Sequence, residues 1–364
     1  NRGTVVRGTV TGPMFLDAAS KLVRGPDGLP VQAGTTSFEF TAVIPPSVQA
    51  SQDPALALAY GHGFFGDRSE VEGDAARTIA DTVNAVTFGI DWWGMAKPDL
   101  GGVANKAASD VTHVGDFAER VHQAMANWLV MTAAIRGPMA QLPAFARAPG
   151  TPVYAPSFVA YFGASMAHIL GGTMIALDPD ISRAVLDVGG GGWTHIMPRS
   201  ANFAPFALLV GGNFDDQVVV QAVLAMIARP LDRIDPVVWA PFVSATPLPG
   251  SPSDRRVMLQ IGLGDPAVPN VASFLHARAL GVKQTVPAPR MVAGLTTTPG
   301  GEPTSTITLF DFGVDTSASI EPRPLSPNQV HDGLRTTKSA LAQTKAFLRD
   351  GVVVQPCDGA CDPN

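Results

Sequence analysis

Residues 157–172 read Ser-Phe-Val-Ala-Tyr-Phe-Gly-Ala-Ser-Met-Ala-His-Ile-Leu-Gly-Gly. This is an apolar run of strand length, one serine among small residues, then an apolar run of helical length. The pattern predicts a buried strand, a sharp turn and a buried helix. Such a corner lifts Ser165 out of the backbone, where its hydroxyl can act as a nucleophile. Small residues are needed two before and two after the serine, because strand and helix backbones nearly touch there. Gly163 and Ala167 occupy those places. The window 156–177 has transmembrane length, but its glycines, Ser165 and His168 fit a buried strand and helix better.

The rest of the chain alternates in the same way. Residues 4–12 and 37–44 alternate as strands and should pair as a hairpin-like edge. Apolar runs at 55–60, 85–90, 157–162, 183–187, 256–261 and 306–312 read as further strands. Helical patterns cover 73–84 and 112–136. Apolar strands alternating with helices predict an α/β protein: a mostly parallel central sheet flanked by helices, with extra N-terminal strands. Residues 193–250 are too long for a simple crossover and are read as a cap or lid; the alternative is a crossover helix with long flanks. The core is thus expected in 1–192 and 251–350, with 351–364 as a tail.

Of the 364 residues, 46% are apolar and 15% charged, enough for a large core and too apolar for disorder. The net charge of −6, with no run of Lys or Arg, argues against a nucleic-acid partner. The two cysteines, Cys357 and Cys361, lie four apart around a glycine. They suit a small disulfide loop, or else remain free thiols in a loose tail. A disulfide would imply an oxidising compartment. No Cys/His set of zinc-site spacing occurs, so no metal is expected. The chain starts at Asn1, not Met, which suggests a removed leader or trimming; a secreted, periplasmic or cell-surface protein without a transmembrane segment is expected. Oligomeric state is not legible.

A serine nucleophile needs a base, and seven histidines compete. His113, His122 and His276 fall on helices, and His168 on the helix behind the turn. His195 opens the insertion. His331 lies in Ser-Pro-Asn-Gln-Val-His-Asp-Gly-Leu, a loop after the last strand, from which an imidazole can reach over Ser165. The base needs an orienting carboxylate. Asp265 ends the strand Val-Met-Leu-Gln-Ile-Gly-Leu-Gly-Asp; a plain turn aspartate is its bland reading, and Asp187 is the reserve acid. The glycine-rich turn Tyr60-Gly61-His62-Gly63-Phe64-Phe65-Gly66 can aim a backbone N–H at the site. Phe64 N–H and Met166 N–H are the expected oxyanion donors. Phe65, Trp92, Trp93 and Trp193 lie in or after turns at strand ends and are candidate substrate contacts; Trp92 and Trp93 could instead pack under the cap.

With these residues together, the chain resembles the α/β-hydrolase superfamily, secreted bacterial esterases and lipases in particular, over residues 37–350. The order Ser165, Asp265, His331 is the order of that fold. Ala167, where a glycine is usual, is a departure, as are the N-terminal strands and the cysteine tail. The resemblance implies a serine-dependent carboxylic ester hydrolase: an acyl-enzyme on Ser165, a proton passed by His331 to the leaving alcohol, Asp265 holding the imidazole, and no cofactor. Small-molecule, lipid or polyester substrates follow from the apolar turn residues. An amidase or peptidase, or a non-catalytic binding module of the same fold, are the competing readings.

Overall fold

A computed structural model describes residues 3–109, 113, 115–212, 214–317 and 323–362. The strands are of two kinds. Thr4–Met14 (β1) alternates between exposed and half-buried, as an edge strand covered on one face does. It pairs antiparallel with Gly34–Ile44 (β2), from Thr4 opposite Ile44 to Met14 opposite Gly34. The expected edge hairpin is present, with longer strands than the alternation alone marked.

The inner strands are buried along most of their length, as strands covered on both faces must be. They are Ala55–Gly61 (β3), Ala85–Ile90 (β4), the last half of Tyr154–Ala164 (β5), Ile181–Asp187 (β6), Arg256–Leu263 (β7) and Thr306–Asp311 (β10). Two short strands, Lys283–Thr285 (β8) and Thr297–Thr298 (β9), finish the far edge. The ten strands run in the order β1-β2-β4-β3-β5-β6-β7-β10-β8-β9. From β4 onward every neighbour is parallel; β1 and β2 supply the antiparallel edge. This is the mostly parallel, helix-flanked sheet of the α/β-hydrolase fold.

Helices cover both faces. Asp74–Val83 (α1) buries Ala76, Ile79, Ala80 and Val83, a three-and-four spacing that makes one apolar stripe. It stops at Asn84, whose left-handed φ of 51° lets its N–H close on Ala80 and Asp81. Leu100–Ser109 (α2) precedes Phe117–Arg136 (α3), Met166–Leu177 (α4), Ala204–Gly211 (α5), Gln217–Leu231 (α6), Asn270–Leu280 (α7) and Lys338–Lys345 (α8). One core joins β-sheet residues to Trp128 of α3 and Leu170 of α4; the other, on the opposite face, joins Phe162 and Phe310 to Ile79 of α1 and Phe347. The helix expected from residue 112 begins at Phe117, after Gly115 and Asp116, so His113 precedes it; residues 110–112 and 114 lie outside the described residues.

Between β6 and β7 the chain makes a helical excursion: Trp193–Ile196, α5, α6, then short turns through Pro236–Trp239. Asp235 pinches its base. The carboxylate accepts hydrogen bonds from the N–H groups of Gly192, Trp193 and Val237, all at 2.9 Å, so the two ends of the excursion meet. Pro236 then packs on Gly172 of α4, where a β-carbon would come within 2.7 Å of the proline ring. Cys357 and Cys361 form a disulfide. No helix among the described residues is long and apolar enough to cross a membrane.

Candidate active site

β5 runs straight into α4, and Ser165 is the single residue between them. Its φ of 60° and ψ of −123° are strained for a residue with a side chain, at a cost of about 1–3 kcal/mol. The surroundings hold it there. Ser165 N–H donates to Asp187 O at 3.0 Å, and Ser165 O accepts from His168 N–H at 3.0 Å. A β-carbon on Gly163 would sit 2.4 Å from Ala167 O, so glycine is required two residues before the serine.

Ala167 is accommodated by a different glycine. A β-carbon on Gly61 would lie 2.6 Å from the Ala167 methyl and 2.5 Å from the Tyr161 hydroxyl. The space that the turn usually leaves bare on the helix is left bare here on β3. Tyr161 then fixes the helix start, its hydroxyl donating to Ala167 O at 2.7 Å.

His331 arrives from the helical turn Val330–Gly333, a regular element rather than the expected loop. Its Nε2 lies 2.9 Å from Ser165 Oγ, and its Nδ1 lies 2.8 and 3.0 Å from the two oxygens of Asp265. Asp265 is buried, and its Oδ1 also accepts from the N–H groups of Ala267 and Val268 at 2.7 and 3.0 Å. Two asparagines brace the pair of turns. Asn270 accepts from Gly264 N–H and donates to Gly262 O; Asn328 donates to Gly264 O and accepts from Val330 N–H. Serine, imidazole and carboxylate therefore form one continuous chain of hydrogen bonds, drawn from two strand ends and a helical turn.

The 60–66 turn is equally fixed. His62 is buried neutral, its basicity lowered chiefly by burial. It accepts from Trp92 N–H at Nε2 and faces Gly63 O at Nδ1, both at 2.8 Å, so Nδ1 carries the proton. Glu70 accepts from Gly63 N–H with both oxygens, at 3.0 and 3.1 Å. Neither Phe64 N–H nor Met166 N–H has a hydrogen-bond acceptor among the described residues. Phe64 and Met166 line the same narrow cleft as Ser165. Trp193 lines it too, with Ile196, Asn202 and Phe203; no charged side chain does.

Of the other residues singled out in the sequence, Phe65 lines a neighbouring chamber. Trp92 is fully buried against Trp128 and Trp93 stacks under Arg120, so these two line neither space. They pack, because the turn after β4 folds down onto α3. His168 is buried against His276, 3.0 Å apart, behind α4. Glu70, Asn270, Asn328 and Phe203 were not identified from sequence. Asn328 carried a usable signal, a turn-forming asparagine three residues before His331. Among the described residues no cluster of His, Cys, Asp or Glu has the makings of a metal site.

Asp187 stands beside this chain of bonds without joining it. It is fully buried, neither oxygen has a hydrogen-bond partner among the described residues, and Arg335 Nε is 3.9 Å away. Burial raises its pKa to about 7; Arg335 and His331 oppose the shift and Asp265 adds to it. The unfolded carboxyl ionises near pH 3.9. The stability it contributes when protonated is therefore complete below about pH 4 and lost as pH rises to about 7. Asp187→Asn escapes that loss. Its Tm relative to wild type is expected to climb between pH 4 and 7 and level off above, as thermal melts across that range would read; a pH-independent difference would contradict the assignment.

No protein-family model matches the chain, and no curated protein does. Among solved structures it is similar to a thermostable esterase from Pseudomonas putida (14% identity, 96% of this chain and 85% of that chain, TM-score 0.45). It is also similar to an esterase from the archaeon Pyrobaculum calidifontis (12%, 95% and 85%, TM-score 0.45). Acetyl xylan esterase 1 from Thermoanaerobacterium sp. is a third (12%, 85% and 84%, TM-score 0.41). The α/β-hydrolase fold of this chain rests on its own strand order and turns, and these remote likenesses carry nothing about its chemistry.

Proposed function

We propose that this chain is a serine hydrolase cleaving carboxylic esters through an acyl-enzyme on Ser165. One observation carries the reading: the unbroken run Ser165 Oγ, His331 Nε2, His331 Nδ1, Asp265, at 2.9 and 2.8 Å. In it, Ser165 Oγ attacks the ester carbonyl carbon while His331 Nε2 takes the hydroxyl proton. Asp265 holds the ring so that Nε2 is free to accept, and stabilises the imidazolium that results. The oxyanion of the tetrahedral intermediate faces the unpartnered N–H groups of Phe64 and Met166. Collapse expels the alcohol, protonated by His331 Nε2. Water, deprotonated by the same nitrogen, then attacks the acyl carbon, releases the acid and restores Ser165.

Several features support a neutral substrate and an enclosed site. The cleft offers no charged side chain to bind a carboxylate or phosphate. The excursion from Trp193 to Asp235 serves as a cap over the cleft, and the disulfide suits an oxidising, extracytoplasmic setting. The test is p-nitrophenyl butyrate against butyryl p-nitroanilide. Ester turnover is expected to exceed anilide turnover by roughly 10²–10⁴-fold, the range that positioned proton transfer supplies. Comparable rates would make the chain an amidase, and turnover of neither would return it to the binding-module class.

A further inference from the structure

Phe64 and Phe203, whose rings touch with centroids 4.8 Å apart, line both the cleft at Ser165 and a larger neighbouring chamber that is open to solvent. Every residue lining that chamber is apolar, among them Phe65, Val103, Ala207 and Leu224. Its walls come from the 64–65 turn, from α2 and the start of α3, and from α5 and α6 of the cap. No residue of the His331 segment contributes.

The place of His331 beside Ser165 decides which half of an ester is turned away from it. The leaving oxygen must lie against His331 Nε2 to receive its proton, so the acyl chain leaves the carbonyl carbon on the side away from His331. Phe64 ties the two spaces together, since its N–H belongs to the cleft and its ring to the chamber wall. We propose that the chamber receives the acyl chain once the touching rings of Phe64 and Phe203 part, and that medium-length unbranched acyl esters are the substrate class. This rests on the ester reading above. An apolar room offers a methylene chain only burial, so discrimination is by length rather than by polar recognition.

Each buried methylene is worth up to about fourfold in kcat/KM. The experiment is a p-nitrophenyl series from acetate to octanoate, kept below micelle formation, beside ethyl to octyl acetates. kcat/KM is expected to rise about two- to fourfold per methylene along the acyl series and to stay level along the alkyl acetates. Val103→Trp and Ala207→Trp fill the chamber from opposite walls. Each is expected to lower the octanoate-to-acetate ratio at least about tenfold, because two or more methylenes lose their place. Melting curves identify a variant that fails to fold, and the wild-type profile stands without either. An acyl profile that is flat or falling, a rise along the alkyl acetates instead, or an unchanged ratio in folded variants would overturn the inference while leaving the ester reading intact. Failure to turn over even the acetate would overturn both.

Discussion

Ser165→Ala is expected to lower kcat/KM for p-nitrophenyl butyrate by roughly 10⁴–10⁶-fold, the scale on which a hydrolase loses its nucleophile. The substitution removes one atom, Oγ, whose only hydrogen-bond partner among the described residues is His331 Nε2. The main chain that holds the turn is unaffected: Ser165 N–H still reaches Asp187 O, and Ser165 O still accepts from His168. The melting temperature should therefore stay within a few degrees of wild type, since no buried apolar contact is lost. What survives is turnover by water in the cleft that remains. Initial rates together with thermal melts check both halves. A folded variant with more than a tenth of wild-type activity would place the nucleophile elsewhere.

Asp265→Asn is expected to cost about 10⁴-fold in kcat, with KM little changed, because it alters a proton's position and not a binding surface. The reason lies in the neighbours. Oδ1 of Asp265 accepts from Ala267 and Val268 N–H. An asparagine there must keep its oxygen on those donors and turn its NH2 towards His331 Nδ1. That face of the ring must then become the acceptor, the proton moves to Nε2, and His331 can no longer take the proton of Ser165. A steady-state comparison on one ester decides it. A loss smaller than tenfold would mean that another carboxylate orients the imidazole, and Asp187 is the one within the same buried pocket.

The parts of this fold that the sequence displayed are those governed by period and by small-residue demands. Buried parallel strands must be apolar on both faces, so β3, β4 and β5 stood out as unbroken runs. The elbow stood out because Gly163 is needed where a β-carbon would strike Ala167 O at 2.4 Å. What the sequence hid depends on distance along the chain. Gly61 makes room for the Ala167 methyl across more than a hundred residues, so the missing motif glycine looked like a defect when read locally. Glu70 secures the 60–66 turn through a bond to Gly63 N–H, and nothing in its surroundings in the sequence distinguishes it from a surface acid. Trp92 looked like a wall of the site because it follows a strand; the turn instead folds onto α3, and burial against Trp128 claims it. Phe203 sits in a stretch with no periodic signal, and only the closure of the excursion at Asp235 brings it over Ser165.

The central claim is that Ser165 is a nucleophile activated by His331. The most direct measurement is the intact mass of the protein after exposure to a fluorophosphonate, for wild type, Ser165→Ala and His331→Ala. The account predicts one phosphonyl adduct on wild type, none on Ser165→Ala, and labelling of His331→Ala slowed by orders of magnitude. An adduct that persists on Ser165→Ala, or folded wild type that takes up none, would contradict it.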